Sequence, residues 1–242
     1  MRMSLISFIV PAYNEERVLG STLDALHEAG RVAGASYELV VVDDGSTDAT
    51  AAIAERHGAT LVSVAHRQIA ATRNSGARKA TGDLFIFVDA DTIVNETVLR
   101  AAIEALREGA VGGGAAIKFD GVVPLYARLL VPIVVRAFRL TRVATGCFLF
   151  CTRSAFVAVG GFDEDFYGAE EVVMSTALKR HGRFVVLKET VITSGRKLRT
   201  HTLREMLVVL LRVIFRGSSA VKQRQGMELW YSERRTDPQR DA

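Results

Sequence analysis

Short apolar runs alternate with helix-length segments through the first 110 residues, and this rhythm constrains the fold more than any other feature. Residues 5–10, 38–42, 60–64 and 84–88 read as strands. Helices read from the Asn14-Glu15-Glu16 cap to about residue 28, from Thr47 or Asp48 to about 57, over 70–80, and over 96–108. Such alternation predicts an α/β fold: a mostly parallel sheet flanked by helices on both faces, joined by right-handed crossovers. Ligands then bind beyond the carboxyl ends of the strands. Pro11, Asp43 and Asp89 all stand at those ends.

Asp89-Ala90-Asp91 is the sharpest chemical signal among them. In an extended backbone, carboxylates at i and i+2 point the same way. They repel unless a cation or protons intervene, and a hard divalent ion with open positions for phosphate oxygens suits them. An ordinary Asp turn with Thr92 starting a cap is the plainer alternative.

The second half is less regular. Residues 111–118 form a Gly-rich strand, 146–151 another strand, 154–159 a short helix, and Gly160-Gly161 a turn. Residues 170–181 read as helical and 184–187 as extended. Residues 122–142 form an apolar helix with Arg128, Arg136, Arg139 and Arg142 in one sector, and Pro132 should kink or split it. Residues 203–215 repeat the pattern with Arg204, Arg212 and Arg216 nearby. Both apolar faces fit an anionic membrane, a dimer interface or the core, with core packing the favoured placement. The tail from Glu233 is expected to be mobile.

With 242 residues and 49% hydrophobic content, the chain can bury a core without disulfide or metal staples. The net charge of +4 is uneven. Residues 1–195 carry 22 acids against 20 bases, whereas residues 196–235 carry ten bases against three acids. By charge alone that stretch suits anionic lipid, nucleic acid or a phosphorylated substrate. Cys147 and Cys151 read as buried thiols of a reducing cytosol, without the further soft ligands zinc needs. The N-terminal apolar run is too short for a membrane span and lacks a cleavage pattern.

In order along the chain stand Val10-Pro11-Ala12-Tyr13-Asn14-Glu15, Val42-Asp43-Asp44-Gly45-Ser46-Thr47-Asp48, Ala71-Thr72-Arg73-Asn74-Ser75-Gly76, Phe87-Val88-Asp89-Ala90-Asp91, Gly160-Gly161-Phe162-Asp163-Glu164 and Glu170-Glu171. Together they resemble the family 2 glycosyltransferases of the GT-A (Rossmann-like) fold over residues 4–190. The resemblance implies a GT-A domain over 1–195, its nucleotide-sugar half at 1–110 and its acceptor half at 111–195. A basic helical extension follows at 196–242.

The resemblance also implies roles. Pro11, Ala12, Tyr13 and Glu15 line the base and ribose, Asp43 contacts the base, and Asp44 and Ser46 shape the loop. Ala71, Arg73 and Asn74 close over the nucleotide, with Ala71 and Gly76 permitting close backbone approach; Arg67 is a weaker match. Asp89 and Ala90 line the donor, and Asp91, Asp89 and His201 are candidates to hold Mg²⁺ or Mn²⁺. Arg196 approaches the diphosphate. Gly161, Phe162 and Asp163 face the acceptor. Glu171 stands where the family usually has Asp as catalytic base, and Glu170 is the other candidate.

The implied partners are a UDP-sugar, or a GDP-sugar in second place, and a hydroxyl acceptor that includes lipid-linked ones. No nucleic acid is implied. The implied location is cytoplasmic, at the inner face of the membrane, with a homodimer in view. A nucleotidyltransferase shares the sheet and paired acids, but it wants a Gly-rich basic loop where Pro11-Ala12-Tyr13-Asn14 stands. A non-catalytic, membrane-associated or partner-binding protein of the same fold is the third reading, because Glu replaces Asp at 171 and fold alone does not prove activity.

Overall fold

The computed structural model describes residues 5–202, 204, 205, 208, 221–225 and 237. In chain order they form β1 (Ile6–Ala12), α1 (Leu19–Ala33), β2 (Tyr37–Asp43), α2 (Thr50–Arg56), β3 (Thr60–Ser63), α3 (Ile69–Lys79), β4 (Leu84–Val88), β5 (Thr92–Ile93) and α4 (Glu96–Arg107). Then come β6 (Gly112–Phe119), α5 (Leu125–Thr141), β7 (Phe148–Thr152), α6 (Arg153–Ala158), α7 (Glu170–His181), β8 (Phe184–Thr193) and α8 (Arg196–Thr200).

One eight-stranded sheet runs β3-β2-β1-β4-β7-β6-β8-β5. The expected parallel block is present: β1 pairs in parallel with β2 and β4, and β2 with β3. β7 enters antiparallel between β4 and β6, and β5 runs antiparallel to β8. The sheet is therefore mixed, with β7 and β5 running against the rest. The first strand continues through Pro11. Ala12 O accepts from Asp44 N, so by alternation Pro11 nitrogen faces β4, where the pairing has already ended at Ile9–Phe87. The missing donor there breaks no ladder bond.

All seven residues of β1 are buried, as suits a central strand covered on both faces. Phe8 and Val10 pack with Leu19, Leu23, Val98 and Leu99 on one face. Ile9, Val40 and Val42 pack with Ala70, Ala77, Phe162 and Leu178 on the other. Gly76 faces this second core, not a ligand: a Cβ there would lie 2.5 Å from Ile9 Cγ2. The Gly-rich start of β6 has a similar cause. A Cβ at Gly113 would come within 2.4 Å of both Phe150 Cζ and Val185 O.

Several local expectations change. The first helix begins at Leu19 because residues 14–16 are bonded across to the segment from Ser46 to Thr50. Thr92 is a strand residue, bonded through Oγ1 to Thr193 Oγ1 at 3.0 Å, rather than a helix cap; Asn95 caps α4 through Val98 N. β8 extends to Thr193 because β6 continues beside it past a register irregularity at Gly114/Ala116. Pro132 does not split α5, which runs from Leu125 to Thr141. The expected core packing of α5 fails: Ala127 is its one buried residue, while Leu125, Leu129, Ile133 and Leu140 are 64–75% exposed.

No helix among the described residues is long and apolar enough to cross a membrane. Cys147 and Cys151 are free and buried. Burial pushes the Cys147 thiol up to about 12, and also raises Cys151. The expected helix over 203–215 lies largely outside the described residues, as does most of the tail. Asp237 corrects the expectation of a mobile tail at that point. It is 3% exposed and pairs with Arg199 at 2.5 Å.

Candidate active site

The carboxyl ends of β1, β2 and β4 meet α3, the start of α7 and α8. On the β1–β2 side the loops are zipped together. Asn14, in a left-handed turn at φ 49°, donates its N–H to Ser46 Oγ, and Thr47 N donates to Asn14 Oδ1. Glu15 N donates to Thr50 Oγ1. Asp43 accepts from Ser46 N at 3.1 Å, closing its own turn. Asp44 accepts from Arg67 N, Gln68 N and Thr72 Oγ1 at 2.9–3.2 Å, in keeping with a loop-shaping role. Pro11 and Ala12 are buried behind these loops. The Arg67 guanidinium lies over the Tyr13 ring, 3.3 Å from its centroid.

Arg73, 2% exposed, is the electrostatic hub. It donates through Nη1 to Glu170 Oε1 at 2.8 Å, and through Nη2 to Asp89 Oδ1 at 2.8 Å and Gly146 O at 2.7 Å. Burial alone would lower its pKa, but Asp89, Glu170 and Glu171 outweigh that and raise it. Its Nε has no partner among the described residues. Three acids thus converge on one buried cation, and Glu170 is committed to it.

Glu171 makes no ion pair among the described residues. Burial, then the charge of Glu170, push its carboxyl up to about 8, against its own backbone N–H and Arg73. It sits in the first turn of α7, where the helix dipole favours an anion. Gly146 leaves space beside it: even a Cβ there would stay 3.5 Å from Glu171 Cδ. This half-buried carboxyl, held near neutrality, is what general-base chemistry requires.

Asp91, between β4 and β5, is partly buried and lies 3.5 Å from Thr193 Oγ1 at the end of β8. Burial and the charges of Glu15 and Asp89 push it up to about 6, against Lys197 and Arg196. A carboxyl so crowded by anions gains most from a cation, so Asp91 with Asp89 beside it fits a divalent ion. Ala90 is buried, its carbonyl bonded to Thr22 Oγ1. His201 is a correction. Among the described residues no three His, Cys, Asp or Glu side chains gather as a metal cluster; His201 Nδ1 lies 3.2 Å from Thr200 Oγ1 and Lys197 O.

Arg196 reaches Glu15 at 3.1 Å, tying α8 to the β1 loop in a contact not anticipated from sequence. Burial acts to lower its pKa, but Glu15 holds it up. Arg199, bound to Asp120 and Asp237, anchors the same short helix.

On the remaining side, Asn74 spends its amide on the turn after α6: Nδ2 donates to Phe162 O and Glu164 Oε1, and Oδ1 accepts from Phe162 N. Ala71 is buried on the same helix. Gly161 needs its left-handed φ of 79°, and a Cβ there would lie 2.8 Å from Asn74 Oδ1. Phe162 is a correction: it is 2% exposed and packs edge-on to Phe87 with ring centroids 5.0 Å apart, so it belongs to the core. Asp163 is exposed and caps its own turn through Asp165 N.

An α/β sheet with acidic side chains at its carboxyl strand ends, gathered round a buried arginine, defines the general class of protein. The particular family follows from comparison: the chain belongs to glycosyl transferase family 2, whose model matches residues 7–159. It is 33% identical over 168 residues to undecaprenyl-phosphate 4-deoxy-4-formamido-L-arabinose transferase of Pseudomonas aeruginosa (strain LESB58), covering 64% of this chain and 49% of that protein. The chain thus spans about half the length of that relative.

Among solved structures, a mannosyltransferase from Pyrobaculum calidifontis, in complex with GDP-Man and Mn²⁺, aligns with TM-score 0.68 at 24% identity, covering 88% of this chain and 63% of that one. Glucosyl-3-phosphoglycerate synthase from Mycobacterium tuberculosis, in complex with Mn²⁺ and UDP-glucose, aligns with TM-score 0.61 at 20% identity, covering 90% and 79%. Both likenesses establish the GT-A fold.

Proposed function

We propose that the protein transfers a sugar from a nucleotide-diphosphate sugar to a hydroxyl acceptor, inverting the anomeric carbon. The observation that carries this reading is Glu171, a carboxyl pushed up to about 8 that makes no ion pair among the described residues and feels the charge of Asp89 at the nearby strand end. Its Oε takes the proton of the acceptor hydroxyl as that oxygen attacks the sugar. The bond to the diphosphate breaks on the opposite side. Glu170 stays paired with Arg73 and holds the hub in place. Pro11, Ala12, Tyr13 and Asp43 form the base and ribose side in this reading.

Asp91, with Asp89, would hold Mn²⁺ or Mg²⁺, which supplies neutralisation of the leaving diphosphate when bound. The Mn²⁺ in the two similar structures supports this assignment. Arg196 adds a second cation on that side. Their GDP-Man and UDP-glucose support a UDP- or GDP-sugar as donor. The undecaprenyl-phosphate in the Pseudomonas relative's name supports a lipid-linked acceptor. In this reading the enzyme works in the cytoplasm, at the inner face of the membrane.

Thermal stabilisation by UDP, GDP, CMP and dTDP, each with and without Mn²⁺, tests the reading. A ligand at about a hundred times its Kd adds roughly 2.7 kcal/mol. One nucleoside diphosphate should give a metal-dependent shift that Asp91→Ala abolishes. No shift with any nucleotide, or turnover that moves a nucleotidyl group instead of a sugar, sinks it.

A further inference from the structure

We infer that α5 docks in the plane of an anionic bilayer, with the Leu125, Leu129, Ile133 and Leu140 side inserted among lipid and the adjacent arginines on the headgroups. This deepens the lipid-linked-acceptor reading and rests on it. The four side chains are 70%, 64%, 65% and 75% exposed. At 100° per residue they fall within a ~80° sector. That sector lies opposite the side on which Ala127 is buried.

Arg128 and Arg139 are exposed and fall along one border of the ridge, and the exposed Arg136 falls within the ridge itself. Long arginine stems reach headgroups from such a border while the ridge sits deeper. From residue 121 to 162 the chain has five arginines and no Asp or Glu. An anionic partner surface therefore meets no opposing carboxylate on this stretch. The 17-residue helix is about 26 Å long, shorter than the ~30 Å hydrocarbon core, so an in-plane pose suits it.

The other side of α5, the Ala127 side, faces the strands that lead toward the active site. A groove of about 670 Å³ separates α5 from β6, lined by Ile117, Phe119, Val123, Val131 and Val135. Phe119 is the register partner of Thr193, whose Oγ1 lies 3.5 Å from Asp91 Oδ1. An isoprenoid chain rising from the bilayer along this groove places its polar head toward the strand ends.

Flotation of the full chain with phosphatidylcholine vesicles, alone or mixed with phosphatidylglycerol, tests the inference. Binding should require the anionic lipid and fall at high salt. Leu129→Glu with Ile133→Glu should abolish it, and Arg136→Glu with Arg139→Glu should weaken it by at least about tenfold. Circular dichroism and the nucleotide–Mn²⁺ thermal shift should stay unchanged in both variants.

Absence of flotation with anionic vesicles at low salt overturns the inference, as does flotation indifferent to both variants. So does sedimentation showing a dimer that the Leu129→Glu/Ile133→Glu variant dissociates, with no vesicle binding. A retained nucleotide shift without flotation refutes the docking alone. Flotation without any nucleotide shift refutes the donor reading alone.

Discussion

The β1–β4 region and the α5–α7 region treat their surfaces in opposite ways. Around β1 and β2, polar side chains of one loop satisfy backbone groups of the next: Asn14 with Ser46 and Thr47, Glu15 with Thr50, and Asp44 with the start of α3. Apolar side chains there are covered from both faces. Around α5, large apolar side chains are exposed and the charges are of one sign. The first arrangement fixes the loops at the strand ends against one another. The second leaves an apolar face uncovered by the described residues.

The contrast breaks first at the seam between the regions. Arg73→Ala strands the buried Glu170 and leaves Asp89 without its cation, and a broken buried pair costs about 3–5 kcal/mol. Urea denaturation should register that loss, and a change under 1 kcal/mol would mean the hub is not what joins the two regions.

Glu171→Gln comes next. Loss of a general base lowers turnover by roughly 10²–10⁴-fold while the fold survives. The pH dependence follows from the same group. Its folded pKa of about 8 lies above the ordinary 4.5, so the native state binds the extra proton between those values. The associated stability is present below about pH 4.5 and is lost as pH rises through about 8. Thermal melts should decline over that window, and Glu171→Gln should flatten the decline. Activity should rise as pH approaches 8, and an acidic optimum would exclude Glu171 as the base.

Gly161→Ala is smaller, about 1 kcal/mol or somewhat more, because alanine is strained at φ 79° and meets Asn74 Oδ1. The smallest effect sharpens the contrast. Leu129→Asn on the exposed ridge of α5 should change stability by less than about 0.5 kcal/mol in the absence of lipid. A cost of 2 kcal/mol in denaturation would mean that ridge is packed after all.

The strand ends were legible because periodicity and breaker residues act locally. Runs such as Leu84–Val88 ended by Asp89 announce themselves in a few residues. The roles of Asn74 and Phe162 were not. Both stand in motif segments, yet one braces a turn and the other fills a core. Asn and Phe suit a ligand or a scaffold equally well, and only neighbours distant in sequence decide. The Glu15–Arg196 contact spans 181 positions and carries no local signal at all.

By itself the sequence determined the α/β alternation, the order of polar loops at the strand ends and the family those loops belong to. Each depends on residues within one element or one turn. Tertiary structure alone decided that β7 enters antiparallel beside β4, that Arg73 claims Glu170 and not Glu171 for its ion pair, and that α5 faces outward. Those outcomes depend on desolvation and on which charge comes nearest, and both are set only when distant segments meet.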